Sequence, residues 1–126
     1  ELGFDKCLNY HNENFRQNLT ASCESGVDIY WENVGGTTFE AVLPLMNNFG
    51  RIPVCGLIAH YNQTDLPMRK DRLPVLFRNI LTKRLLLRGF IVWDLKEQEE
   101  EALSSLMSLV SEGKIKYKED LVLGLL

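Results

Sequence analysis

The residues of this chain that could do chemistry gather at the ends of apolar runs. Asn33 stands in Asp28-Ile-Tyr-Trp-Glu-Asn-Val-Gly-Gly36, where a β-prone stretch ends in a polar pair and two glycines. Asn33 offers both a donor and an acceptor, and glycine permits positive φ and close approach of a ligand to the backbone. Ligands of open α/β sheets sit outside the carboxyl ends of the strands, so Glu32–Gly36 reads as one side of a ligand crevice. Tyr61 follows the run Arg51-Ile-Pro-Val-Cys-Gly-Leu-Ile58 and opens a polar loop. Its hydroxyl could face a crevice, although spacing alone favours a surface tyrosine. Within the same run, Cys55 offers a thiol and Gly56 a close backbone approach. As a small apolar group closing a strand, Cys55 needs no special chemistry. Phe90-Ile91-Val92 could wall a pocket, and a buried strand explains it equally well.

Other candidates carry less. His11 and His60 lie 49 positions apart, with no serine or cysteine in a nucleophile motif beside either, and read as surface or loop histidines. The acidic run Glu97–Glu101 reads as a solvated helix face, and no second acidic cluster answers it as a metal site. Cys7, Cys23 and Cys55 are odd in number and scattered, which fits neither a disulfide framework nor a zinc site. Free thiols in a reducing cytosol are the plain expectation. The sequons at Asn18 and Asn62 are short enough to arise by chance. A net charge of −3 gives no reason to expect nucleic acid or an anionic membrane as partner, and no apolar run is long enough to span one. The chain also contains no G-x-G-x-x-G, no A-x-x-G-x-x-G and no P-loop.

The elements that must position these residues alternate. Cys7–Asn9 reads as a short strand. Glu13 to Cys23 reads as a helix capped by Asn12, with Phe15 and Leu19 on one face. Val27–Glu32 is the next strand. Thr37 to Met46 is a helix with Phe39, Val42, Leu43 and Met46 inward, distorted by Pro44 in its last turn. Gly50 to Ile58 is a strand despite Pro53, and Tyr61 to Asp71 a polar loop. Leu73 to Thr82 is a helix with Pro74 in its first turn. Leu85–Trp93 is a strand, and Lys96 to Glu112 a helix with Leu103, Leu106, Met107 and Val110 as its core stripe. Gly113 ends that helix, and Ile115 to Lys118 reads as a last strand. Such alternation with short links predicts an α/β fold, a mostly parallel sheet with helices on both faces. At 126 residues it is one domain or a piece of one. Glu1-Leu-Gly-Phe-Asp5 reads as a helix end with no start before it, so the chain is expected to begin within a larger protein.

In order and spacing, several segments resemble the zinc-independent medium-chain dehydrogenase/reductases. They are Glu1–Asp5, Leu8-Asn-Tyr10, Asp28–Gly36, Ile52-Pro-Val-Cys-Gly-Leu-Ile58, Tyr61-Asn62, Leu81-Thr-Lys-Arg84, Gly89-Phe-Ile-Val92 and Glu112-Gly-Lys-Ile-Lys-Tyr117. Within that family the likeness is to the branch of prostaglandin reductase, leukotriene B4 12-hydroxydehydrogenase and curcumin reductase. The resemblance implies NADPH as cofactor, no metal, and a small-molecule enone as substrate. The family reduces the carbon–carbon double bond of α,β-unsaturated ketones or aldehydes, with hydride to the β-carbon and a proton to the α-carbon. A quinone reductase of the same superfamily is the alternative within the class, and a non-catalytic dimerisation module the alternative outside it. By resemblance, Tyr10 lies near the adenosine ribose and its 2′-phosphate, and Asn33 contacts the cofactor. Cys55, Gly56, Leu57 and Ile58 line the nicotinamide side, Tyr61 is the catalytic tyrosine near the substrate oxygen, and Phe90, Ile91 and Val92 offer backbone groups to the carboxamide. The resemblance further implies a partial Rossmann-type, doubly wound three-layer α/β/α sheet without its first two strands. Cys7–Asn9 would be its third strand. The chain would be the C-terminal part of the NADP(H)-binding domain, inactive alone, and the whole protein a cytoplasmic homodimer joined through strand Leu85–Trp93.

Overall fold

The structure is a computed structural model and describes residues 3–62, 64 and 71–124, so most of the expected polar loop after Tyr61 lies outside the described residues. Two compact units are present, Lys6–Ile91 and a second made of Glu1–Asp5 with Val92–Leu126.

The first unit begins without a strand. Asn9 closes a turn instead, its carbonyl accepting from the Asn12 N–H (3.1 Å) and its side chain from the His11 N–H (3.0 Å), so Cys7–Asn9 never extends. Helix α1 spans Phe15–Ser22. It starts later than expected because Asn12 spends its side chain on the Asn14 N–H (2.8 Å) in a turn, not as the cap. Strand β1 is Val27–Ile29. The ladder slips after Val27, yet extended backbone carries on to Glu32: Tyr30 N–H donates to the Arg51 carbonyl at 3.0 Å and Glu32 N–H to the Pro53 carbonyl at 2.9 Å. Helix α2 is Gly36–Val42, and Pro44 turns its expected last turn into the 3₁₀ turn Leu43–Leu45. The chain is then free to extend early, so β2 runs Met46–Val54, and Met46 belongs to the strand rather than the helix. The 3₁₀ turn Ile58–His60 follows, where extended structure was expected up to Ile58. Helix α3 is Leu73–Lys83 and β3 is Leu86–Gly89. β3 stops short of the expected Trp93; its last link to the sheet is the Phe90 N–H on the Val54 carbonyl (3.4 Å).

The three strands are parallel in the order β1-β2-β3, with β2 in the centre although it carries Pro53. Helices α2 and α3 are the crossovers between them. The core consists of Val42, Leu43, Met46, Ile52 and Leu85, with Leu19, Phe39, Leu76 and Ile80 from the three helices packed against it. Helix cover in this unit therefore lies on the Ile52 face. Ile29, Arg51 and Leu86 sit side by side along the other face and are exposed there, Ile29 at 58% and Leu86 at 59%.

The second unit is a 3₁₀ segment Val92–Gln98 followed by α4, Glu99–Ser111, with Glu99, Glu100 and Glu101 at the positive end of the helix dipole. Helix α4 starts three residues after the expected Lys96, the chain staying in the 3₁₀ segment through Gln98. The stripe Leu103, Leu106, Met107 and Val110, expected as core, is exposed in this unit. Ile115–Lys118 forms no strand: the Ile115 N–H folds back onto the Leu109 carbonyl (3.2 Å) at the helix end. The observed order is therefore α-β-α-β-α-β-α, without the first and last strands that the alternation predicts.

A candidate cofactor site at the carboxyl ends of two strands

Beyond the last ladder pairs of β1 and β2, two turns face each other. One carries Glu32–Gly36, the other Cys55–Tyr61. They are strapped together by main-chain bonds. The Glu32 carbonyl accepts from Cys55 N–H (2.8 Å) and Gly56 N–H (3.3 Å), the Asn33 carbonyl from Ile58 N–H (3.2 Å), and the Val34 carbonyl from Ala59 N–H (3.0 Å). Gly35 adopts φ +77°, ψ −161°, a region open in practice to glycine alone.

Gly56 is where the predicted site residues meet. A Cβ added there would lie 2.6 Å from Asn33 Oδ1 and 2.7 Å from the Tyr61 hydroxyl. The two polar groups thus converge on bare backbone. Tyr61 is exposed, and its hydroxyl accepts from the Leu57 N–H at 3.1 Å. A phenol oxygen held this way keeps its own proton available to an outside acceptor. Asn33 is exposed as well.

The other sequence-predicted residues fall into three groups. Cys55, Leu57 and Ile58 lie on the second turn with exposed side chains, Cys55 as a free thiol. Phe90 packs edge-on against Trp31, ring centres 5.4 Å apart, and its N–H is engaged by Val54; Ile91 follows, exposed, and Val92 opens the second unit. Tyr10 sits in the turn before α1 with its ring 4.2 Å from that of His11. No hydrogen bond or ring contact among the described residues joins it to Asn33 or Tyr61.

Sequence reading missed Glu32, which is only 2% exposed. Its Oε1 accepts from Val34 N–H (2.6 Å) and Gly35 N–H (2.7 Å), while Oε2 makes no hydrogen bond of ordinary geometry. The signal that could have found it is a carboxylate three residues before the first of two glycines, where a folded-back turn exposes amide groups. Burial, and after it the Glu32 carboxylate, push the pKa of the neighbouring Tyr30 phenol up, so Tyr30 stays protonated. On the far side of Gly36 and His60 lies a cleft of about 570 Å³ floored by Phe39, Leu43 and Leu76. At its rim the Glu40 carboxylate is shared between Arg16 (3.6 Å) and Arg72 (3.8 Å). Among the described residues, no three His, Cys, Asp or Glu side chains are grouped to hold a metal ion.

The family model described as zinc-binding dehydrogenase matches residues 1–109. The chain belongs to that family. It is 48% identical to the NADPH-dependent curcumin reductase of Escherichia coli over 125 residues, 98% of this chain and 36% of the relative. It is 39% identical to prostaglandin reductase 1 of Sus scrofa over 127 residues, 98% of this chain and 37% of that protein. Among solved structures, CurA from Vibrio vulnificus in complex with NADPH superposes with a TM-score of 0.88 at 43% identity, over 95% of this chain and 36% of that one. The fold is thus the Rossmann-like parallel α/β fragment of the zinc-independent branch of medium-chain reductases. The chain spans roughly a third of the length of the relatives it matches.

Proposed function

We propose that this chain is the C-terminal part of the NADP(H)-binding domain of a reductase acting on the carbon–carbon double bond of α,β-unsaturated ketones or aldehydes. The observation that carries the reading is the convergence of Asn33 and Tyr61 on Gly56 at the carboxyl ends of β1 and β2. Family membership and the reductases among the relatives support it. The glycine cradle suits a flat polar ligand, because a Cβ at Gly56 would close it. NADPH, when bound, supplies the hydride. Asn33 orients the cofactor through its amide, and the main chain of Cys55–Ile58 lines the same side. Tyr61 holds a proton at its hydroxyl while the Leu57 N–H stabilises the negative charge that develops on that oxygen as the proton leaves. Tyr10 contributes near the adenosine end, and Phe90–Val92 near the carboxamide. Cys7, Cys23 and Cys55 are free thiols, which suits a cytoplasmic protein. No helix among the described residues is long and apolar enough to cross a membrane.

The test is a titration of the chain with NADPH, followed by tryptophan fluorescence. Weak, saturable quenching that NADH reproduces less well, with no turnover of an enone, is the expected result. No response at any NADPH concentration removes the cofactor-site reading. Micromolar affinity, or enone reduction by these residues alone, removes the claim that the chain is an inactive part. Enone against quinone turnover by the whole protein separates the two reductase classes. One further observation favours pairing of two copies: β3 is an edge strand with its outer side unpaired among the described strands. The homodimer through this strand is expected in light scattering at high concentration, and a strict monomer there argues against it.

A further inference from the structure

We infer that Glu32 is the positioning residue of this site, clamping both turns at once so that Asn33 is delivered over Gly56. The inference rests on the cofactor-site reading above only for what the site binds. Glu32 grips one turn through its side chain and the other through its main chain. Its carboxylate Oε1 takes the N–H groups of Val34 and Gly35 at 2.6 and 2.7 Å. Its carbonyl takes those of Cys55 and Gly56 at 2.8 and 3.3 Å. Asn33 lies between the two grips, with Oδ1 over the open face of Gly56. The side-chain grip is needed because Gly35, lacking a Cβ, has many backbone conformations open to it, and φ +77°, ψ −161° must be selected from among them. Two short charge-assisted bonds to consecutive amides do that.

A residue that served packing alone would not look like this. Glu32 is 2% exposed, but its Oε1 is spent on two amides of the turn. Its second oxygen, Oε2, is buried with no hydrogen bond of ordinary geometry. The same carboxylate also acts on the neighbouring Tyr30 phenol, and a buried acceptor of this kind is a costlier filler for a core than an apolar side chain of its size.

Nuclear magnetic resonance of the ¹⁵N-labelled chain decides the matter, with NADPH titration beside it. Glu32→Gln keeps an oxygen at the same reach, so the Val34 and Gly35 amides stay strongly shifted downfield and NADPH affinity stays within about twofold. Glu32→Leu fills a similar volume and offers no acceptor to either amide. It is expected to move the Gly35 amide, the Gly56 amide and the Asn33 side-chain NH₂ signals together. It should also weaken NADPH by about tenfold or more, while the amide of Ile52 in the core keeps its shift. Glu32→Ala should do the same. Unmoved Asn33 and Gly56 signals in the Leu and Ala variants overturn the inference, as does unfolding of the chain by both, which would place Glu32 in the general core. If the unsubstituted chain ignores NADPH, the cofactor reading fails, and the Asn33 and Gly56 signals still judge the role of Glu32.

Discussion

At Gly56 a single hydrogen atom keeps the site open. Gly56→Ala would push its methyl against Asn33 Oδ1 and the Tyr61 hydroxyl, both closer than 3 Å to the added carbon. Both are the ends of flexible side chains, so the fold yields cheaply and the site does not. We expect NADPH binding to fall about tenfold, equivalent to roughly 1.4 kcal/mol, with the melting temperature nearly unchanged; calorimetry beside the fluorescence titration checks this. Tyr30 gives a pH signature. Its phenol is held protonated in the folded chain, first by burial and then by Glu32. The unfolded chain therefore loses that proton first. Stability is fully present below the ordinary tyrosine value near 10 and falls as pH rises past it. Denaturant midpoints at pH 8 and about pH 10.5 should differ less in Tyr30→Phe than in the unsubstituted chain. Asn33 and Gly56 could be singled out in the sequence as polar and glycine residues closing apolar runs, whereas spacing alone favours a surface role for Tyr61 and only the family resemblance picks it out. Glu32 could not be singled out, since a charged residue after a strand ordinarily faces water.

Among the elements, β2 bears the most. It is central, parallel to both neighbours, and carries Ile52 at 1% exposure into the core fed by α1, α2 and α3. Ile52→Ala should cost about 2–5 kcal/mol, enough to unfold a domain with so few buried residues, and urea denaturation would show it. Ile52→Val, which leaves a smaller void, should cost about 0.5–1.5 kcal/mol. The three central strands and α1–α4 could be read from periodicity, but their edges could not. Asn12 was legible as a helix cap by residue type, and the local turn it makes with Asn14 is an equally good use of the same side chain. Pro44 visibly interrupts its helix, yet the sequence does not say that the strand will begin two residues later at Met46. The two strands that failed, Cys7–Asn9 and Ile115–Lys118, are short runs. Whether a short run extends depends on a neighbour to pair with, and neither finds one among the described strands.

For the whole molecule, the uneven dress of the sheet has consequences in solution. Ile29, Arg51 and Leu86 form a row on the face that α1–α3 leave uncovered in their unit. Exposed apolar surface of this kind promotes association. Ile29→Glu together with Leu86→Glu flanks Arg51 with opposite charge, each cross-strand pair worth about 0.2–1 kcal/mol. We expect less scattering at high concentration and less binding of a hydrophobic dye, with no loss of melting temperature; greater aggregation would contradict this account of the face. A different kind of consequence follows from the turn after β2. Cys55, Gly56, Leu57, Ile58 and Ala59 each give their N–H to the site, to Glu32, Glu32, Tyr61, Asn33 and Val34 in turn. What these positions contribute is therefore main chain, while four of the five point their side chains at solvent. Over a lineage, Cys55, Leu57, Ile58 and Ala59 should vary in side chain more readily than in main chain, Leu57 least among them because its Cδ2 lies close to Gly35. Proline, which has no N–H to give, is the one residue they cannot accept.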